Sequence, residues 1–440
     1  MPLGKNFAMP SGGSTSSAAD RYKWWVVGFL WVLCLLNYVD RSNIFVLFPL
    51  LQEEFSLTGT EMGLVGSVFL WVYSASSPLA GFLGDRFTRR GVILVSLATW
   101  SAITFATGLA QSTGMLLVFR ALMGLSEAAY FPAALSLLSD YHGRDTRSTA
   151  ISIHQSGIYI GYMAGGAFSA VVAQQFGWRL PFYILGGLGV VLVLVFARLL
   201  REPPRGAAEE VQRVGGPPAT PKHPASDTLR HLATTPTAVA LAAVHFAVLS
   251  VAWVIFSWAP YFVHEKFHLS LAAAGVQSTV ALQIPSVLGI MVGGVIGDRL
   301  MRRGVWGRMS TLTMGLLLGA PFLVLLGWGP VLPLALLGLG GFGFFKGFFD
   351  GNGPPAVYDV VHPSSRSFAY GIYNSISGVS SGFAVLLVGA FKDNLGLGNL
   401  LASLAALYLV SAVILSIAIV RYLPADVEKL RVNLSLEASG

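Results

Sequence analysis

Twelve apolar blocks dominate this chain, each about 20 residues long or more. A run of that length crosses the ~30 Å hydrocarbon core of a bilayer as a helix. A helix also satisfies its own backbone hydrogen bonds there, which lipid cannot do. The blocks fall at 24–51, 61–84, 91–111, 113–140, 147–175, 180–200, 236–264, 271–297, 308–328, 330–360, 367–391 and 398–421, numbered here as spans 1 to 12. Composition agrees: 54% of the 440 residues are hydrophobic and 11% are charged, against about 25% charged in a soluble domain. A soluble globular protein and a disordered chain are excluded. The single cysteine, Cys34, excludes a disulfide scaffold. The expected fold is all-α and membrane-integral, with twelve transmembrane helices.

The longest interruption is 201–235, with Pro203-Pro204, Gly215-Gly216-Pro217-Pro218, Pro221 and Pro224 among mixed charges. It reads as a polar linker. The domain reading is an N-terminal tail at 1–23, a six-helix half at 24–200, the linker at 201–235, a second half at 236–421 and a C-terminal tail at 422–440. The N-terminal tail is polar and lacks the apolar core of a signal peptide. Of the 28 Lys and Arg, 22 fall on the side of the linker and both tails. Arg179, Lys266 and Lys392 fall on the other side, and Arg41, Arg120 and Lys346 lie inside spans. The positive-inside rule therefore puts both termini and the linker in the cytoplasm of a cell membrane, the inner one in a bacterium. It also accounts for the net charge of +7, which faces anionic lipid and calls for no nucleic acid.

The halves echo each other. Gly81-Phe-Leu-Gly-Asp85-Arg86-Phe-Thr-Arg89-Arg90 ends span 2, and Gly294-Val-Ile-Gly-Asp298-Arg299-Leu-Met-Arg302-Arg303 ends span 8, the equivalent place in the second half. Asp140 and Arg147 after span 4 return, with the same separation, as Asp359 and Arg366 after span 10. Two parallel half-repeats of this kind build transporters with a site at the midplane between them.

Twelve spans, a central linker and the twice-occurring G-x-x-x-D-R-x-x-R-R resemble the major facilitator superfamily over nearly the whole chain. Thr88 stands where that family has Gly before the paired arginines. Within it, Asn37-Tyr38-Val39-Asp40-Arg41, Trp71-Val72-Tyr73 and Arg120-Ala-Leu-Met-Gly124-Leu-Ser-Glu127-Ala-Ala-Tyr-Phe-Pro132 resemble the anion:cation symporter family. The same stretches are also similar to the spinster family of lysolipid transporters. Pro132 and the Trp-Val-Tyr of span 2 favour the organic-anion relatives.

Ionisable groups inside spans are costly and are functional candidates. Adjacent Asp40 and Arg41 point about 100° apart, so one can face a central cavity and the other a neighbouring helix. The resemblance implies proton coupling at Asp40 and substrate-anion contact at Arg41. Arg120 and Glu127 share one stripe of span 4, with Gly124 between them allowing close approach; the resemblance implies a transport-linked proton on Glu127. Lys346 and Asp350, four apart on span 10, can pair; they stand outside the anion:cation pattern and, with Arg120, are candidates for substrate contact. Asn352, Pro354 and Pro355 follow, where a break in span 10 is expected. Tyr73, Gln155, Tyr373, Asn374 and Ser377 are neutral candidates for the cavity wall, while His154 and His245 read better as packing groups. Gly81, Asp85, Arg86, Arg89, Arg90, Asp298 and Arg299 are gating candidates: by resemblance, these loops hold the two halves together in the outward-open state.

No metal-ligand spacing, nucleotide loop or catalytic constellation occurs, so the reading is not an enzyme and has no cofactor. The function expected is alternating-access symport of a proton with a small organic anion such as a sugar acid, by a monomer in the lipid bilayer. A lysolipid transporter is the first alternative. A non-transporting sensor would be expected to add a soluble domain, for which the tail after Arg421 is too short.

Overall fold

A computed structural model describes residues 15–204 and 225–439, without the side chains of 15–20, 80–85, 144, 145, 225, 364, 367 and 437–439. Twelve of its helical segments are long and apolar enough to span a membrane. They coincide with the twelve blocks to within a few residues, and no strand occurs among the described residues. Span 1 lies in helix Thr15–Val46, which breaks at Leu47 and continues as the short helix Phe48–Phe55. Within the linker reading, 225–234 forms a helix, Ala225–Thr234, packed beside span 7; residues 205–224 lie outside the described ones.

Span 4 is the interrupted one. It consists of Thr113–Glu127 and Tyr130–Tyr141, separated by Ala128 and Ala129. Pro132 explains the position: it has no N–H to donate and its ring collides with the carbonyl four residues back, that of Ala128. The break expected in span 10 is absent, since helix Leu332–Tyr358 runs through Pro354 and Pro355. Neighbouring packing holds it. The amide of Asn352 donates to the carbonyls of Phe348, at 3.0 Å, and Gly293 of span 8, at 2.9 Å.

The packing repeats every six helices. In the first half span 1 packs on 5, 2 on 4 and 3 on 6; in the second, span 7 packs on 11, 8 on 10 and 9 on 12. The halves meet where span 2 packs on 11 and span 5 on 8. Those two contacts exchange under the same six-helix shift, which makes the assembly pseudo-twofold.

The ion pairs on the linker side repeat too. Arg89 meets Asp140 at 3.0 Å and Arg308 meets Asp359 at 2.6 Å. Arg308 follows Arg89 at the same spacing in the chain as Asp359 follows Asp140. Aligning the two loop motifs residue by residue would have paired Arg302 with Asp359. A longer loop after span 8 moves Arg308 into that place. Arg147 donates to the carbonyl of Ser139, and Arg366 to that of Tyr358, at the same offset.

The seam between spans 2 and 11 is tight toward the face opposite the linker. Small residues let backbones approach there: Ser67 Oγ donates to the Gly382 carbonyl at 2.6 Å and Trp71 Nε1 to that of Val379 at 3.1 Å. Spans 5 and 8 are joined by the Ala272 N–H donating to Gln174 Oε1 at 2.8 Å, and Tyr261 OH donates to Gln52 at 2.9 Å. Two turns toward the linker from Gly378, on the same stripe, a Cβ at Gly371 would meet nothing within 4 Å. These hydrogen bonds between the halves lie toward the face opposite the linker.

Candidate functional site

A cavity of about 220 Å³ lies between the halves. The first half presents Tyr38, Arg41, Tyr159 and Tyr162 to it. The second presents Trp253, Phe256, Gln283, Phe342, Lys346 and Asp350. Of the ionisable candidates, Arg41, Lys346 and Asp350 therefore reach the cavity directly.

The Asp-Arg dipeptide of span 1 divides its side chains as helical geometry requires. Arg41 turns to the cavity, while Asp40 turns away, is 1% exposed, and faces Trp100 and Thr104 of span 3 without reaching hydrogen-bond geometry. The Arg41 guanidinium carbon lies 4.6 Å from the ring centres of both Tyr38 and Tyr73. These ring faces favour the cation where water cannot. Tyr73 thus holds Arg41 and is not part of the cavity wall.

Glu127, fully buried, accepts a hydrogen bond from Arg41 Nε at 2.6 Å. Its other oxygen has no partner, and Asn37 lies beside it. Arg120, seven residues earlier on the same stripe of span 4, does not pair with Glu127. Arg120 instead donates from Nε to the Val65 carbonyl of span 2 at 3.1 Å, with its guanidinium 4.7 Å from the Phe69 ring centre. The break after Glu127 allows this arrangement: the chain turns one residue beyond the carboxylate, and Ser96 of span 3 donates to the carbonyl of Ser126 just before it.

In the second half Lys346 Nζ donates to Asp350 Oδ2. Tyr159 OH of the first half donates to the same oxygen at 3.3 Å. The other neutral candidates sit elsewhere. Gln155 and Asn374 are exposed and outside the cavity wall. Tyr373 is buried and donates to the Ala238 carbonyl at 2.6 Å; Ser377 is buried as well. His154 packs on Tyr130, with its Nε2 3.1 Å from the hydroxyl. His245 is enclosed by Phe349, Tyr370 and Tyr373.

Among the gating candidates, Arg89 and Arg90 are engaged inside the first half. Their backbone N–H groups donate to Glu202, at 2.9 and 2.7 Å, a carboxylate on a helix N-terminus where the dipole favours it. Arg86, Asp298 and Arg299 are exposed; the side chain of Asp85 and the surroundings of Gly81 lie outside the described residues. The aromatic wall and Gln283 were not singled out from sequence. Within spans that are apolar throughout, nothing local separates an aromatic ring facing a cavity from one facing lipid.

The profile described as Major Facilitator Superfamily matches residues 30–345. The chain belongs to the major facilitator superfamily. That family is one of transporters, not of enzymes. Among similar superfamily members is the human protein spinster homolog 1, 31% identical over 315 residues, covering 68% of this chain and 59% of that protein. The D-galactonate transporter of Escherichia coli O6:H1 is 24% identical over 413 residues, covering 89% of this chain and 94% of that one. A probable chloroplastic anion transporter of Oryza sativa is 30% identical over 291 residues, 64% of this chain and 49% of its own. The chain thus spans only about half to three-fifths of the human and rice proteins. In fold, a bacterial homolog of the human lysosomal transporter Spinster, solved in an inward-facing and occupied conformation, matches with TM-score 0.80 at 21% identity over 92% of this chain and 98% of that one.

Proposed function

We propose that this protein is a secondary active transporter that couples a proton to a small organic anion by alternating access, acting as a monomer in a cell membrane with both termini in the cytoplasm. One observation carries this reading: the cavity's Arg41 is hydrogen-bonded to a carboxylate that is itself fully buried. While Glu127 is ionised, the pair is neutral and offers an anion little. When Glu127 takes up a proton, the guanidinium keeps a charge without a counter-ion in a low-dielectric setting, and a substrate carboxylate is the group that satisfies it. Proton and anion then enter together or not at all. Asp40, equally buried beside them, is a second carboxylate that can carry a proton. The cavity volume supports a small solute, since about 220 Å³ is below the ~300–1,000 Å³ of drug-sized sites. The matches to the galactonate and anion transporters support the same substrate class. The exposed Arg86, Asp298 and Arg299 fit gate loops disengaged on the linker side.

A lysolipid reading has one observation in its favour, the aromatic and aliphatic wall of the second half. The test is uptake into proteoliposomes under an imposed inward proton gradient, comparing D-galactonate, simple carboxylates and a lysophospholipid. Concentrative, gradient-dependent uptake of the acids alone is expected. Uptake of the lysophospholipid alone would refute the organic-anion assignment.

A further inference from the structure

The Arg41–Glu127 pair is not the only cation–carboxylate unit at the cavity. Lys346 and Asp350 form a second one, contributed by the other half. The two units differ in access: the side chains of Arg41 and Glu127 are 5% and 0% exposed, those of Lys346 and Asp350 18% and 17%. Both cations line one cavity of about 220 Å³, so a single small solute reaches both. The groups around Asp350 are Lys346 on its own helix, Tyr159 of span 5, His245 of span 7, Tyr370 of span 11 and Tyr408 of span 12. Among these described neighbours Lys346 is the only lysine or arginine, and there is no second carboxylate.

We propose that Lys346 and Asp350 form a second anion-and-proton site, so that the preferred substrate is an organic acid with two anionic groups, one on Arg41 and one on Lys346. The inference rests on the organic-anion reading above and extends it to substrate class. Lys346 is satisfied by Asp350. A second substrate carboxylate can replace that bond only if Asp350 is neutralised, because two carboxylates sharing one ammonium in a low-dielectric cavity repel each other. A proton on Asp350 removes the repulsion. It leaves Lys346 to the substrate and turns the acid into a donor as well as an acceptor. Each negative charge brought by the substrate is then matched by one proton, on Glu127 and on Asp350. Tyr159 adds the link to motion: its hydroxyl, from the opposite half, bonds the carboxylate that changes charge, so loading this site alters a contact between the halves.

The experiment uses the full-length protein in proteoliposomes with two matched probes, the monoacid gluconate and the diacid glucarate. Dissociation constants and the number of protons entering per substrate are measured for wild type, Lys346→Gln, Lys346→Arg and Asp350→Asn. In wild type, glucarate is expected to bind at least tenfold tighter than gluconate, with two protons per glucarate and one per gluconate. Lys346→Gln should reduce the diacid-to-monoacid preference to about one, and Lys346→Arg should retain it. Asp350→Asn should lower the glucarate count to one. The preference is a ratio within each variant, so a partial loss of folded protein does not imitate the effect. Equal or weaker binding of glucarate in wild type overturns the proposal, as does a preference that survives Lys346→Gln. If neither acid binds wild type or enters with protons, the organic-anion reading itself fails; if gluconate alone is handled with one proton, only this extension fails.

Discussion

Glu127→Gln separates coupling from binding. Gln keeps the length and an oxygen to accept from Arg41 but cannot exchange a proton. In wild type, each pH unit across the membrane supplies about 1.4 kcal/mol per coupled proton, a factor of ten in accumulation. A gradient of about two units with one proton should therefore concentrate a monocarboxylate up to about 100-fold. The variant should equilibrate at a ratio near one, whatever the gradient, while counterflow exchange persists because Arg41 still presents its charge. Arg41→Ala is the contrasting perturbation. It strips the 2.6 Å partner from a fully buried carboxylate, a change that costs about 3–5 kcal/mol, and removes the proposed anion contact, so exchange should fall with accumulation by two decades or more. The assay is uptake of labelled gluconate with and without the gradient, beside exchange at equal pH. Concentrative uptake by Glu127→Gln would refute the reasoning. Glu127 would then be a structural partner of Arg41, and the proton would travel by Asp40 or Asp350.

Three further outcomes are expected. After Cys34 is replaced, Asp20→Cys and Ser439→Cys should resist an impermeant thiol reagent added outside intact cells and react after permeabilisation; ready labelling of either from outside reverses the orientation. A Cβ at Gly124 would stand 2.6 Å from the Phe69 carbonyl oxygen and 3.0 Å from the Tyr73 amide nitrogen, so Gly124→Ala must push spans 2 and 4 apart and should lose about 1–3 kcal/mol, read as a lower Tm in detergent; an unchanged Tm removes the close-approach argument. Outside the spans, the hydrogen bond from Arg179, with help from Trp178, holds the Glu54 carboxyl below the usual glutamate range. Its contribution is complete above the ordinary value of about 4.3 and is lost as pH falls below it. For so exposed a pair that is about 0.2–1 kcal/mol, and Glu54→Gln should show a smaller fall in Tm between about pH 6 and about pH 3.5 than wild type; an equal fall shows that the pair does not contribute.

The amino-acid sequence alone specifies the topology, because lipid leaves the chain almost no choice. A block of about 20 apolar residues must be a helix, and twelve of them with a repeated loop motif form two like halves. It also determined which residues were chemically conspicuous: Asp40, Arg41, Arg120, Glu127, Lys346 and Asp350 stand out against apolar surroundings. Local spacing settled the i,i+4 pair Lys346–Asp350, whose members lie on one helix. Tertiary structure decided everything that depends on which helices become neighbours. Glu127 pairs with Arg41, 86 positions away in the chain, and not with Arg120 on its own stripe. Arg308 takes the repeat position of Arg89 because a longer loop shifts the register of the second half. The interruption falls at Ala128, not at Pro354: a proline always frees a carbonyl, but whether the helix survives depends on what packs beside it, and Asn352 is tied into spans 8 and 10. The cavity wall was likewise unreadable, since Trp253, Phe256 and Tyr162 are as suited to facing lipid as to facing a solute. Hydrophobicity places a residue in the membrane. Only the packing of the twelve helices determines which of those residues line the cavity.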